Sequence, residues 1–169
     1  MKSTIRNLVL IALLNIAQGV WAAEGPQPNL NAKYAFTIEA TISAPIPMGE
    51  TVDGSRQSIP ITGGKFYGDK IKGKVLPGGA DYQVTRSDGT TLLNAIYMIQ
   101  TDDGALINVV NKGILVPASA DHPFYFKTSP VFTAPNGKYS WLNQAIFVCA
   151  VRFDSNVPNT VFIDVYRLD

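Results

Sequence analysis

From Tyr34 to Leu168 apolar and polar residues alternate in short runs. In no window after the first 22 residues do apolar residues recur at helical spacing for three turns, and Gly and Pro break every stretch that attempts it. Alternation of period two is the signature of a half-buried strand. It predicts strands over Tyr34–Ser43, Lys65–Tyr67 with Lys70–Leu76, Asp81–Arg86, Leu92–Thr101, Ala105–Lys112, Phe124–Thr133, Tyr139–Phe153 and Thr160–Leu168. Ser87-Asp88-Gly89-Thr90, Asp102-Asp103-Gly104 and Pro135-Asn136-Gly137-Lys138 place Asp or Asn ahead of Gly, the composition of tight hairpin turns. Strands joined by hairpins are antiparallel. Long consecutive strands with no helices favour an all-β fold: a single antiparallel, mostly meander β-barrel of about 8–10 strands, because closure removes exposed edges. A two-sheet sandwich is the competing architecture. Gly68 and Gly73, inside strand-like runs, mark bends in the sheet.

The beginning of the chain reads differently. Lys2 and Arg6 precede an apolar run, Leu8–Ala17, and Val20-Trp21-Ala22 ends on small residues. This is the pattern of an export signal over residues 1–22, followed by a polar, proline-containing leader at 23–32 and a barrel domain at 33–169. An uncleaved anchor is the alternative, but Asn15 and Gln18 interrupt a run already short of a membrane span. The expected location is periplasmic or secreted, with no membrane association after cleavage. Without Lys2 and Arg6 the basic and acidic residues nearly balance and form no block, which argues against a nucleic-acid partner.

Little in the composition points to metal or nucleophile chemistry. The single Cys149 lies in the apolar run AIFVCAVRF and reads as core packing. His122, the only histidine, sits in a turn-like segment, and no serine-based triad can be assembled around it. Asp102-Asp103-Gly104 lacks the spaced oxygen ligands of a calcium loop. No cofactor is expected. The connection between Lys112 and Phe124 is either a rim loop or a plain crossover.

The remaining chemistry is carried by carboxylates, amides and aromatics sorted by strand parity. If Tyr139–Phe153 is one strand, Tyr139, Trp141 and Asn143 share a face suited to lining a cavity, as Tyr97 and Tyr166 do on theirs. Asn143 in such a setting needs several hydrogen bonds, some of which a ligand can supply. Asp164, within VFIDVY, is either a raised-pKa acid or base or a carboxylate tied to Arg152 or Arg86. Asp81 follows Pro77-Gly78-Gly79-Ala80 and either caps that turn or faces the barrel mouth. Asp81 and Tyr82 cannot both face the interior unless a bulge intervenes.

The ordered series IPITGGKFYG, GKVLPGGADYQ, YMIQTDDGALINVVNKG, FYFKTSPVF, YSWLNQAIFV and VFIDVYRLD resembles domain-of-unknown-function family 3237 over about Phe36–Leu168. The resemblance implies a compact antiparallel β-barrel and no particular activity; the export signal departs from it. Three functional readings follow. The first is an exported barrel binding a small organic molecule, aromatic or cyclic, through Tyr97, Tyr139, Trp141, Asn143 and Tyr166. The second is a cofactor-independent lyase, isomerase or hydratase, with Asp81 or Asp164 as the cavity carboxylate and Tyr and Asn supporting an oxyanion. The third is an interaction module with a packed core. A cavity separates the first two from the third, and a carboxylate in that cavity with a raised pKa separates the second from the first.

Overall fold

A computed structural model describes residues 30–169. The expected export signal and most of the leader lie outside the described residues. Ten strands follow one another: β1 (Ala32–Ile42), β2 (Ile46–Thr51), β3 (Gly54–Tyr67), β4 (Lys72–Val75), β5 (Gly79–Thr85), β6 (Thr91–Thr101), β7 (Leu106–Val116), β8 (Tyr125–Thr133), β9 (Phe147–Phe153) and β10 (Thr160–Leu168), with a 3-10 turn at Ser140–Asn143 before β9.

Every pairing is antiparallel. Around the wall the order is β1, β10, β9, β8, β7, β6, then β4 and β5 end to end between β6 and β3, and β3 returns to β1. The result is a closed eight-stranded barrel. β1 leaves β3 at the pair Ile42 and Ile61, and β2 takes its place from Ile46 opposite Ser58. The β2–β3 hairpin therefore continues past the point where the wall stops, and every residue of β2 is exposed.

Several elements differ from the expected strands. β2 and β3 as far as Gly64 were not expected, because Pro60, Gly63 and Gly64 interrupt the apolar pattern there. Pro60 is nonetheless accommodated: its carbonyl accepts the Ser43 N–H at 3.0 Å. At Gly64 φ is +129°, and a Cβ would overlap the Glu39 carbonyl of β1, so this corner admits only glycine. The expected strand Tyr139–Phe153 begins only at Phe147. Before it the chain turns, because the Asn143 side chain donates to the Ala134 carbonyl at 2.9 Å and accepts the Ala134 N–H at 2.8 Å, imitating a strand partner from within a loop.

The inward positions divide along the barrel axis. One end is filled by Phe36, Phe66, Phe132 and Phe147, with Trp141 from the 3-10 turn laid across them. Their rings meet edge-on or tilted, with centroids 5.2 Å apart for Phe132–Phe147, 5.7 Å for Phe36–Phe132 and 5.8 Å for Trp141–Phe147. Tyr139 and Leu142 are buried beside this plug. The other end is not filled.

Candidate functional site in the barrel interior

Beyond the aromatic plug lies a cavity with a water-accessible volume of ≈ 100 Å³. Around its mouth stand Ile42, Ile59, Leu115, Phe126, Phe153 and Val161, with the Gln83 amide also lining it. Its middle layer is two-sided. Ala40, Ile61, Val151 and Ile163 line the half built from β1, β3, β9 and β10. The half built from β5 to β8 carries Asp81, Tyr97, Asn111 and Thr128, one from each strand in turn.

The strand registers explain this arc. Asp81 pairs with Ala95, which pairs with Asn111. Tyr97 is the next inward residue after Ala95. Thr128 pairs with Gly113, the next inward residue after Asn111. Gly79 of β5 stands directly behind Tyr97, where a Cβ would overlap the Tyr97 Cβ; the missing side chain leaves room for the ring.

Asp81 occupies a break in the wall. β5 and β6 pair at Asp81–Ala95 and again at Val84–Leu92, but not at the two positions between. The Asn94 N–H freed by this opening donates to Asp81 Oδ1 at 3.0 Å, and Gln83 Nε2 donates to Asp81 Oδ2 at 2.7 Å. Gln57 Nε2 in turn donates to Gln83 Oε1 at 2.7 Å. Burial raises the Asp81 pKa above the ordinary carboxylate value, and the two donated hydrogen bonds offset only part of that rise. Burial also raises the Tyr97 pKa, so its ring carries a neutral phenol. Tyr97 Oη, Asn111 Oδ1 and Thr128 Oγ1 are buried and make no hydrogen bond to nitrogen or oxygen; Thr128 stands opposite the Cys149 thiol, a weak partner.

The side chains expected at the site fall into two groups. Asp81 and Tyr97 line the cavity, and Tyr82 faces outward, half exposed, as strand parity requires. Asp164 is corrected to the outer wall, where it accepts from Thr37 Oγ1 at 2.7 Å and from Arg152 Nε at 3.0 Å. Tyr139, Trp141 and Asn143 do not share a cavity face, because their segment is not extended. The Tyr139 hydroxyl donates to the Asp103 carboxylate at 2.9 Å, Trp141 belongs to the plug, and Asn143 is spent on Ala134. Tyr166 faces outward against Tyr34, with ring centroids 5.9 Å apart. Cys149 is buried, and burial pushes its thiol up to about 12, which removes it as a nucleophile at neutral pH. Asn111 and Thr128 were missed. Their signal was available: each is a polar residue on the apolar parity of its strand, Asn111 in line with Ile107 and Val109, Thr128 with Phe126 and Phe132.

A family described as "Protein of unknown function (DUF3237)" matches residues 30–168. The chain belongs to the DUF3237 family. A UPF0311 protein of Clostridium acetobutylicum is 38% identical over 152 residues, covering 82% of this chain and 94% of that one. The crystal structure of a conserved protein of unknown function from Rhodopseudomonas palustris superposes with a TM-score of 0.76 at 37% identity, over 85% of this chain and all of that one. A more distant relative is a hydroalkoxylation enzyme of Penicillium herquei, 28% identical over 159 residues, 93% of this chain and 97% of that one. The crystal structure of an enzyme from the same fungus shares the fold, with a TM-score of 0.68 at 24% identity. DUF3237 membership thus accounts for the closed barrel and leaves the chemistry to be argued from the cavity.

Proposed function

We propose that this DUF3237 barrel is a cofactor-independent catalyst of proton-driven addition or elimination on a small, largely apolar organic molecule, with Asp81 as the proton carrier. The observation that carries this reading is a carboxyl of raised pKa inside a largely apolar cavity. Such a group is a better general acid near neutral pH than an exposed aspartate, since a larger share of it is protonated. The fungal relative's named activity, hydroalkoxylation, supports the reaction class. In such an addition the Asp81 O–H bond breaks and its proton goes to one alkene carbon. A hydroxyl oxygen bonds to the other carbon, and the hydroxyl proton returns to Asp81. Nothing is oxidised or reduced. The apolar wall of Ala40, Ile61, Val151 and Ile163 suits the hydrocarbon part of an aromatic or cyclic compound. The basic, apolar and small-residue pattern of residues 1–22 supports an exported working form.

The test is turnover of ortho-alkenyl phenols, beginning with ortho-allylphenol, followed by chiral chromatography of the cyclic ether. The protein is expected to give one enantiomer in excess, and Asp81→Asn to lose roughly 10²–10⁴ of the rate. Racemic product at the buffer rate across the series, or full activity in Asp81→Asn, overturns the proposal.

A further inference from the structure

Buried polar atoms in folded proteins are paired in the great majority of cases, and each unpaired one costs stability. Among the described residues four buried side-chain atoms make no hydrogen bond to nitrogen or oxygen. Asn94 Oδ1 belongs to a residue on the outward parity of β6. The other three, Tyr97 Oη, Asn111 Oδ1 and Thr128 Oγ1, belong to cavity-lining residues on three adjacent strands. Their residues are 4%, 5% and 7% exposed, so bulk solvent does not serve them. All three lie on one side of one cavity, where whatever occupies it can pair with them.

Resting on the proton-transfer reading of the same cavity, we infer that Tyr97, Asn111 and Thr128 form the pocket for a hydroxyl group of the incoming molecule, so that the ligand is a neutral phenol or alcohol on an apolar frame. The identity of the atoms narrows the chemistry. Asn111 offers the acceptor Oδ1 beside its own Nδ2 donor, and the Tyr97 and Thr128 hydroxyls give or accept, so a guest group that both donates and accepts pairs most fully with the three. A hydroxyl does both. A ketone or ether cannot donate to Asn111. A carboxylate cannot donate either, and it would bring a second negative charge toward Asp81 in a cavity that no Lys, Arg or His lines. The neutral phenol of Tyr97 keeps its proton available to the guest oxygen. The arc runs on from Asp81 to the neighbouring strands, so an oxygen held there lies beside the proton carrier rather than across the cavity from it.

The experiment compares ortho-allylphenol with allylbenzene, the same frame without the oxygen, by ligand-detected NMR titration of the whole protein. The protein is expected to bind the phenol at least about tenfold tighter, since two or three hydrogen bonds are at stake. In the combined variant Tyr97→Phe, Asn111→Leu, Thr128→Val the ratio falls to near one while allylbenzene binding persists. Tyr97→Phe and Thr128→Val, each nearly isosteric, are also made singly; each is expected to lower the ratio and to raise the melting temperature, because an unpaired hydroxyl is removed. A wild-type ratio near one overturns the inference, as does a ratio that the variants leave unchanged. So does a fall in melting temperature in both single variants, which would mean that the hydroxyls are already paired in the empty fold. Asp81→Asn separates the two proposals. Turnover persisting in that variant defeats the proton-carrier reading while the ratio still reports on the hydroxyl pocket.

Discussion

Asp81 concentrates the physical tension of the molecule in one side chain. It accepts two hydrogen bonds that favour its charged form, yet burial dominates and raises its pKa. The folded state therefore binds the proton more tightly than the unfolded chain does. Between the ordinary value of 3.8 and the raised value, the folded form holds more protons, so stability falls as pH rises through that window and is level above it. Asp81→Asn removes this dependence. Thermal melts of the two proteins from acid to neutral pH are expected to show the variant gaining on the wild type as pH rises through the window, then holding a constant lead. A variant that loses ground as pH rises would mean that the carboxylate is net stabilised in the fold. That Asp81 and Tyr82 face opposite ways was legible in the sequence, because their strand is short and bounded by turns; which of the two faces inward was not. Asp164 reads alike in sequence, an acid among apolar neighbours, but only the Thr37 and Arg152 contacts across β1 and β9 show which side of the wall it is on.

Among the strands, β3 carries the most geometric demand, since it changes partners from β2 and β5 to β1 and β4 along its length. At Gly64 the Glu39 carbonyl of β1 occupies the place a Cβ would take. Gly64→Ala is expected to cost about 1–2 kcal/mol for the left-handed backbone alone, plus whatever the displaced Glu39 carbonyl adds. Urea unfolding measures the sum, and a cost below 1 kcal/mol would mean that the corner relaxes freely. This strand and β2 were not visible in the local pattern. Proline and paired glycines normally end a strand, and only the partners on both sides hold this one extended. The reverse error, an expected strand through Tyr139–Asn143, has the same root. Aromatic and polar residues alternate there by composition, while Asp103 and Ala134, distant in sequence, dictate a turn. Strands bounded by Asx-Gly turns were readable; elements fixed by distant partners were not.

At the scale of the whole molecule, the barrel is a closed wall with an aromatic plug at one end and an unfilled interior toward the other. The plug holds large rings in direct contact, so Phe132→Ala, which removes a ring touching both Phe36 and Phe147, is expected to cost about 3–5 kcal/mol in urea unfolding. Substitutions around the mouth, such as Leu115→Ala, are expected to cost less, because that residue borders space already empty. The plug also has a consequence for traffic. On the proposed function, with the plug at one end and only the two unpaired positions beside Asp81 interrupting the wall, a guest and its product share one opening, one after the other. Product that lingers blocks its successor, so slow departure shows itself as product inhibition.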